Sequence, residues 1–237
     1  GVLDSLQSVG LYKEMPFFIS RLKEMEKGEY STEFKLKVQV HIYLYEFYSL
    51  FNTGKFKSAQ KLQEENEDSI FKKISLLELN LQLQLYLSLV ILHIGLKDLQ
   101  EARKSMKKIL SSGKSLYIFP TYRIARLVNL ILQAELGNYD YFENEIKSIK
   151  RSSSFETKQY ITEKFLFKFI QSYPLPKNKL HRNKLWSCYQ QNIQKIEEDK
   201  YERPLLKVFD FCAWIKSKLT DNPFDLIMKE QNERIII

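Results

Sequence analysis

Apolar residues recur along this chain in two rhythms. Leu99, Ala102, Met106, Ile109 and Leu110 fall at helical spacing, with Arg103, Lys104, Lys107 and Lys108 between them. That spacing puts the apolar set on one face of a helix and the four cations on the other. Elsewhere Phe34, Leu36, Val38, Val40, Ile42 and Leu44 alternate with polar residues, and the odd-numbered leucines from Leu77 to Leu89 do the same. Alternation ordinarily marks a strand with one buried and one solvated face. Here it predicts helix instead, because both runs exceed the usual strand length and the second is rich in the helix formers Leu and Gln. An apolar residue at every second position spreads around the whole circumference, as a helix buried between neighbours requires.

A short signal follows each alternating run and occurs at two further places. It reads Gly10-Leu11-Tyr12-Lys13-Glu14-Met15, Gly54-Lys55-Phe56-Lys57-Ser58-Ala59, Lys97-Asp98-Leu99-Gln100-Glu101-Ala102 and Gly137-Asn138-Tyr139-Asp140-Tyr141-Phe142. The mechanical reading is that a left-handed residue closes one helix, the aromatic fills the inter-helix angle, and the last residue sits where the next helix approaches closely. These four turns resemble the tetratricopeptide repeat, whose helix-turn-helix unit carries such a Gly, aromatic and Ala. The resemblance covers residues 10–142 and implies an all-α fold, an α-solenoid of antiparallel helix pairs. The repeat here is roughly forty residues, longer than the standard of about 34, and lacks the usual Trp and Pro marks, which longer helices explain. A weaker echo is Asp199-Lys200-Tyr201-Glu202-Arg203-Pro204.

Beyond the fourth turn, residues 156–172 read as a further helix, stopped by Tyr173-Pro174-Leu175-Pro176. Residues 179–198 and 204–219 read as two more, and Asn222-Pro223 starts a terminal helix before the closing Ile235-Ile236-Ile237. The segment from Phe209 to Lys218, with Cys212 and Trp214, resembles the closing helix of some bacterial helical-repeat proteins. The expected organisation is therefore 1–173 as tetratricopeptide-like pairs and 174–237 as C-terminal helices closing the same array. Gly1 reads as a processing or expression scar. Val2, Leu3, Leu6 and Val9 read as the remnant of a longer helix, so we expect further pairs upstream and self-association through the first helices.

Composition narrows the alternatives. With 7 Gly and 6 Pro in 237 residues, there is little material for the hairpins of a sandwich or barrel. Cys188 and Cys212 stand apart without a Cys-x-x-Cys or a nearby His, which predicts buried thiols, a reducing, cytoplasmic setting and no zinc site. The most apolar stretch, near Leu85 to Leu96, is too short for a membrane span. The net charge of +8 is uneven. Residues 1–95 carry 11 Lys or Arg against 12 Asp or Glu, so the excess lies in the second part. Its two basic groups, Arg103, Lys104, Lys107 and Lys108, then Lys177, Lys179, Arg182 and Lys184, are the candidate sites for an acidic partner or a polyanion.

No catalytic signature accompanies them. His41, His93 and His181 sit on different predicted helices, and neither a phosphate loop nor a nucleophile elbow occurs. Acidic runs such as Glu64-Glu65-Asn66-Glu67-Asp68 read as solvated helix ends. No cofactor is implied. The chain reads as a non-enzymatic protein-interaction scaffold, or a docking or sensor arm of a larger protein, with a protein or peptide partner. The alternative is a basic helical repeat that binds nucleic acid or another polyanion. Registered on the turns, the groove-facing positions would be Leu44, Tyr48, Leu87, Ile91, Leu127 and Ile131. They are apolar, so the inner face either recognises apolar side chains or is filled by the chain's own helices.

Overall fold

Both alternating runs are helical. The computed structural model describes residues 1–152 and 160–235, and no strand occurs among them. In chain order, α1 is Val2–Val9, α2 Met15–Glu26, α3 Thr32–Asn52, α4 Phe56–Glu65, α5 Leu79–Gly95, α6 Leu99–Ser111, α7 Pro120–Leu136 and α8 Tyr141–Ser152. Then come α9 Ile161–Ile170, α10 Lys179–Glu198, α11 Arg203–Val208, α12 Phe211–Thr220 and α13 Phe224–Ile235. The alternating run in α5 is buried on every side, from Leu81 and Leu83 through Val90, Ile91 and Leu92. Residues 156–159 of the helix expected over 156–172, and Ile236 and Ile237, lie outside the described residues.

The four turn signals do join α1 to α2, α3 to α4, α5 to α6 and α7 to α8. Their first residues share one backbone conformation, with φ of 79° at Gly10, 75° at Gly54, 62° at Lys97 and 77° at Gly137. Their last residues, Met15, Ala59, Ala102 and Phe142, are all buried. The echo at Asp199 is different: its backbone is extended, and Tyr201 is exposed. Lys97 is the one turn whose left-handed residue has a Cβ, a strain of about 1 kcal/mol or more that glycine does not carry. Lys97→Gly is therefore expected to stabilise the protein by roughly 0.5–1 kcal/mol in urea unfolding, against a surface control such as Lys57→Ala near zero.

Three departures from the sequence reading have local causes. The second helices are only 10 to 13 residues long where they follow α3 and α5, and 3₁₀ turns at Phe71–Leu76 and Gly113–Leu116 complete the return. The helix expected over 204–219 is broken between α11 and α12. Asp210 breaks it by accepting a 2.7 Å hydrogen bond from the Ala213 amide, which caps a new helix start. Cys188 is exposed on α10, whereas Cys212 is buried.

Packing runs along the chain and then turns back. The first helices meet in succession, α3 with α5, α5 with α7 and α7 with α9, and each second helix lies on its own first helix. The last helices return to the beginning: α11 packs on α1 and α3, and α13 on α3. Phe224 of α13 stacks obliquely on Phe56, 5.5 Å between ring centres, and Trp214 of α12 donates a 2.7 Å hydrogen bond to Glu135 at the end of α7. Leu44, Tyr48, Leu87, Ile91, Leu127 and Ile131 are all buried in one continuous core that also contains Phe209, Trp214 and Ile227. These six positions are thus covered by the chain's own residues. A smaller core of Leu3, Tyr12, Met15, Ile19, Val38 and Ile42 ties α1 and α2 to α3.

Candidate functional site

The two predicted basic groups occupy separate elements. Arg103, Lys104, Lys107 and Lys108 are exposed along α6, which packs on α5 and α7. Lys104 is held by Glu101 at 2.5 Å, while the other three face solvent. The second group lies at the start of α10, which packs on α9, α11 and α12. Lys177, Lys179 and Lys184 are exposed there. Arg182 is already engaged: its guanidinium bonds Asp221 at 2.6 Å and the carbonyls of Pro176 and Lys177 at 3.0 and 2.8 Å. The fold thus leaves two three-residue basic patches on elements that do not pack together.

A site that the sequence did not announce lies where the returning helices meet the first ones. It is a cavity of about 420 Å³ at the seam of α1, α3, α10, α11 and α13. Asn52, the last residue of α3, is 5% exposed and forms part of its wall. Its amide donates a 2.8 Å hydrogen bond to the Lys207 carbonyl, which fixes the side chain next to the buried Tyr12 hydroxyl. Neither the Tyr12 hydroxyl nor Asn52 Oδ1 reaches any other partner.

The charges around Asn52 are also incompletely paired. Lys207 and Asp210 flank the α11–α12 break and line the cavity with Arg203. None of the three makes an ion pair within 4 Å among the described residues, and the Lys207 ammonium instead lies over the Tyr12 ring at 5.6 Å. Burial lowers the Lys207 pKa against the pull of Asp210, and burial raises that of Asp210 against its helix-cap amides and Lys207. Glu197, across the cavity, accepts a 2.8 Å bond from Gln231. Val9, Leu206 and Met228 supply an apolar side.

Several other buried polar groups hold helices together. Arg126, 5% exposed on α7, reaches Glu145, Ser148 and Ser152 along α8 at 2.7, 2.8 and 3.1 Å. Arg123 pairs with fully buried Glu163 of α9 at 2.6 Å. Glu202 receives the Ile161 and Thr162 amides at 2.9 and 3.1 Å, capping α9 from forty residues away in sequence. Among the described residues no three His, Cys, Asp or Glu side chains form a group that could hold a metal, and no helix is long and apolar enough to cross a membrane.

No family model, curated protein or solved structure matches the chain. What it does must be argued from its own surfaces. Besides the basic patches and the cavity, one further feature stands out. Tyr30, Leu76, Leu79, Tyr117, Ile118 and Ile161 are exposed large apolar residues, and each lies at or just before the start of α3, α5, α7 or α9.

Proposed function

We propose that the chain is a tetratricopeptide-like stack of antiparallel helix pairs that works without catalysis, as a scaffold or docking arm for a protein partner. The shared left-handed turn residue and the succession of α3, α5, α7 and α9 support the stack. In such a stack the starts of those four helices come to one edge. The carrying observation is that this edge holds the exposed apolar residues just described, with Leu76 at 71% and Ile118 at 78% exposure. Solvated aliphatic residues that recur at one edge offer anchors to a partner, whereas the six positions expected to face a groove are buried. The two free thiols fit a cytoplasmic setting.

The test compares wild-type protein with the double variant Leu76→Asp and Ile118→Asp as affinity baits under identical conditions. The expected result is a specific partner retained by the wild type and lost by the variant, with both melting at nearly the same temperature because the changed residues are largely exposed. Identical capture by both baits would overturn the edge, and turnover of a substrate by the purified protein would overturn the non-enzymatic reading. Exposed Arg103, Lys107 and Lys108 favour a second reading, a polyanion or nucleic-acid surface on α6. Nucleic-acid binding that falls steeply with salt and disappears on charge reversal of Lys107 and Lys108 would move the assignment there.

A further inference from the structure

The seam cavity has the attributes of a built site. Its wall carries the Asn52 side chain, held rigidly by the Lys207 carbonyl and next to the buried Tyr12 hydroxyl. On its rim, Lys207 and Arg203 supply positive charge and Asp210 negative charge, and none of these forms an ion pair with another. Opposite charges that face one cavity without meeting leave both to be satisfied by something between them, since unpaired charge in a partly buried setting is costly. The Asp210 carboxylate lines the cavity and is held by the Ala213 and Cys212 amides, which do not exhaust its acceptor capacity. Leu206 and Met228 add an apolar wall, and about 420 Å³ is within the range of small-molecule pockets.

These groups specify a ligand with three parts. A cationic donor would meet Asp210 on the side of Asn52, an anion would meet Lys207 and Arg203, and an apolar substituent would lie on Leu206 and Met228. A lone anion would leave Asp210 unpaired, and a lone amine would leave Lys207 unpaired. We propose that the cavity binds a small apolar zwitterion, the chemistry shared by a free aliphatic α-amino acid and a short aliphatic peptide. The ligand would bridge α3 to the α11–α12 break, and so join the first helices of the chain to the last. The proposal does not rest on the docking edge, which is formed by other elements.

The experiment is calorimetric titration of the full chain with L-leucine and with leucyl-leucine, alongside the amine lacking the carboxylate, N-acetyl-leucine, and inorganic phosphate. At least one of the two zwitterions is expected to bind and to raise the melting temperature. Whichever binds identifies the source. Removing either charged end should weaken binding about tenfold or more, the worth of one charge-assisted hydrogen bond. Lys207→Met, close in volume, should weaken it similarly. Should that variant fold poorly, exposed Arg203→Gln provides the same readout without a packing change. Absence of binding by both zwitterions at millimolar concentration would overturn the proposal. So would binding of the amine or of phosphate as tight as that of the zwitterions, or full affinity in both folded variants.

Discussion

Gly54→Ala is expected to destabilise the protein by roughly 2–5 kcal/mol, while Gly137→Ala, at the same place in another turn, should lose only about 1–2 kcal/mol. Both glycines are left-handed, with φ of 75° and 77°, so either alanine strains the backbone equally. Their surroundings differ. A Cβ on Gly54 would lie 2.3 Å from the Asp225 carbonyl oxygen and 3.1 Å from the Lys229 amide, whereas at Gly137 it would meet nothing within 4 Å. The clash at Gly54 is with the backbone of α13, which cannot rotate away as a side chain could. The α3–α4 turn and α13 must then separate, pulling Phe224 off Phe51 and Phe56. Urea unfolding followed by Trp fluorescence measures both losses. Equal losses would show that α13 is not seated on that turn, and the return of the C-terminal helices to the first ones would fail with it.

The second large effect is expected at Arg126. Arg126→Ala should cost about 3–5 kcal/mol, because it leaves Glu145 with its charge in a protein interior and no cation beside it. Both partners are nearly buried, at 6% and 13% side-chain exposure. The pair itself need not be strongly stabilising, since its formation required desolvating two charges. A double variant, Arg126→Met with Glu145→Leu, should therefore lose much less than the two single losses combined, and the interaction energy from the cycle reports the coupling. Strict additivity would mean that Arg126 and Glu145 act independently, and that α8 is held to α7 by the Arg126 bonds to Ser148 and Ser152 and by the packing of Phe142, Ile146 and Ile149.

The helical turns were legible because they depend on neighbours in sequence. Gly10, Gly54 and Gly137 announce a left-handed residue, and Lys97 could be aligned with them only because Leu99 and Ala102 follow at the same spacing. The α6 cations were legible for the same reason, since four cations opposite five apolar residues fix which side faces water. Arg182 was grouped with its basic neighbours, and only the folded chain shows Asp221, 39 residues on, occupying it. Asn52 and Lys207 gave no signal at all. An Asn at a helix end and a Lys in a basic segment are ordinary, and their meeting across 155 residues makes them wall and floor of one cavity.

By itself, the sequence determined the class of fold, the four turns, the break at the prolines and the exposed basic face of α6, all consequences of local periodicity and backbone conformation. The tertiary structure decided where the last helices go. They return to α1 and α3, add Phe209, Trp214 and Ile227 to the main core, and open the cavity at the α11–α12 break. The reason is that burial of an apolar face is non-directional. Leu44, Leu87 and Leu127 require a cover, and their chemistry does not say whether a partner's side chains or the chain's own supply it.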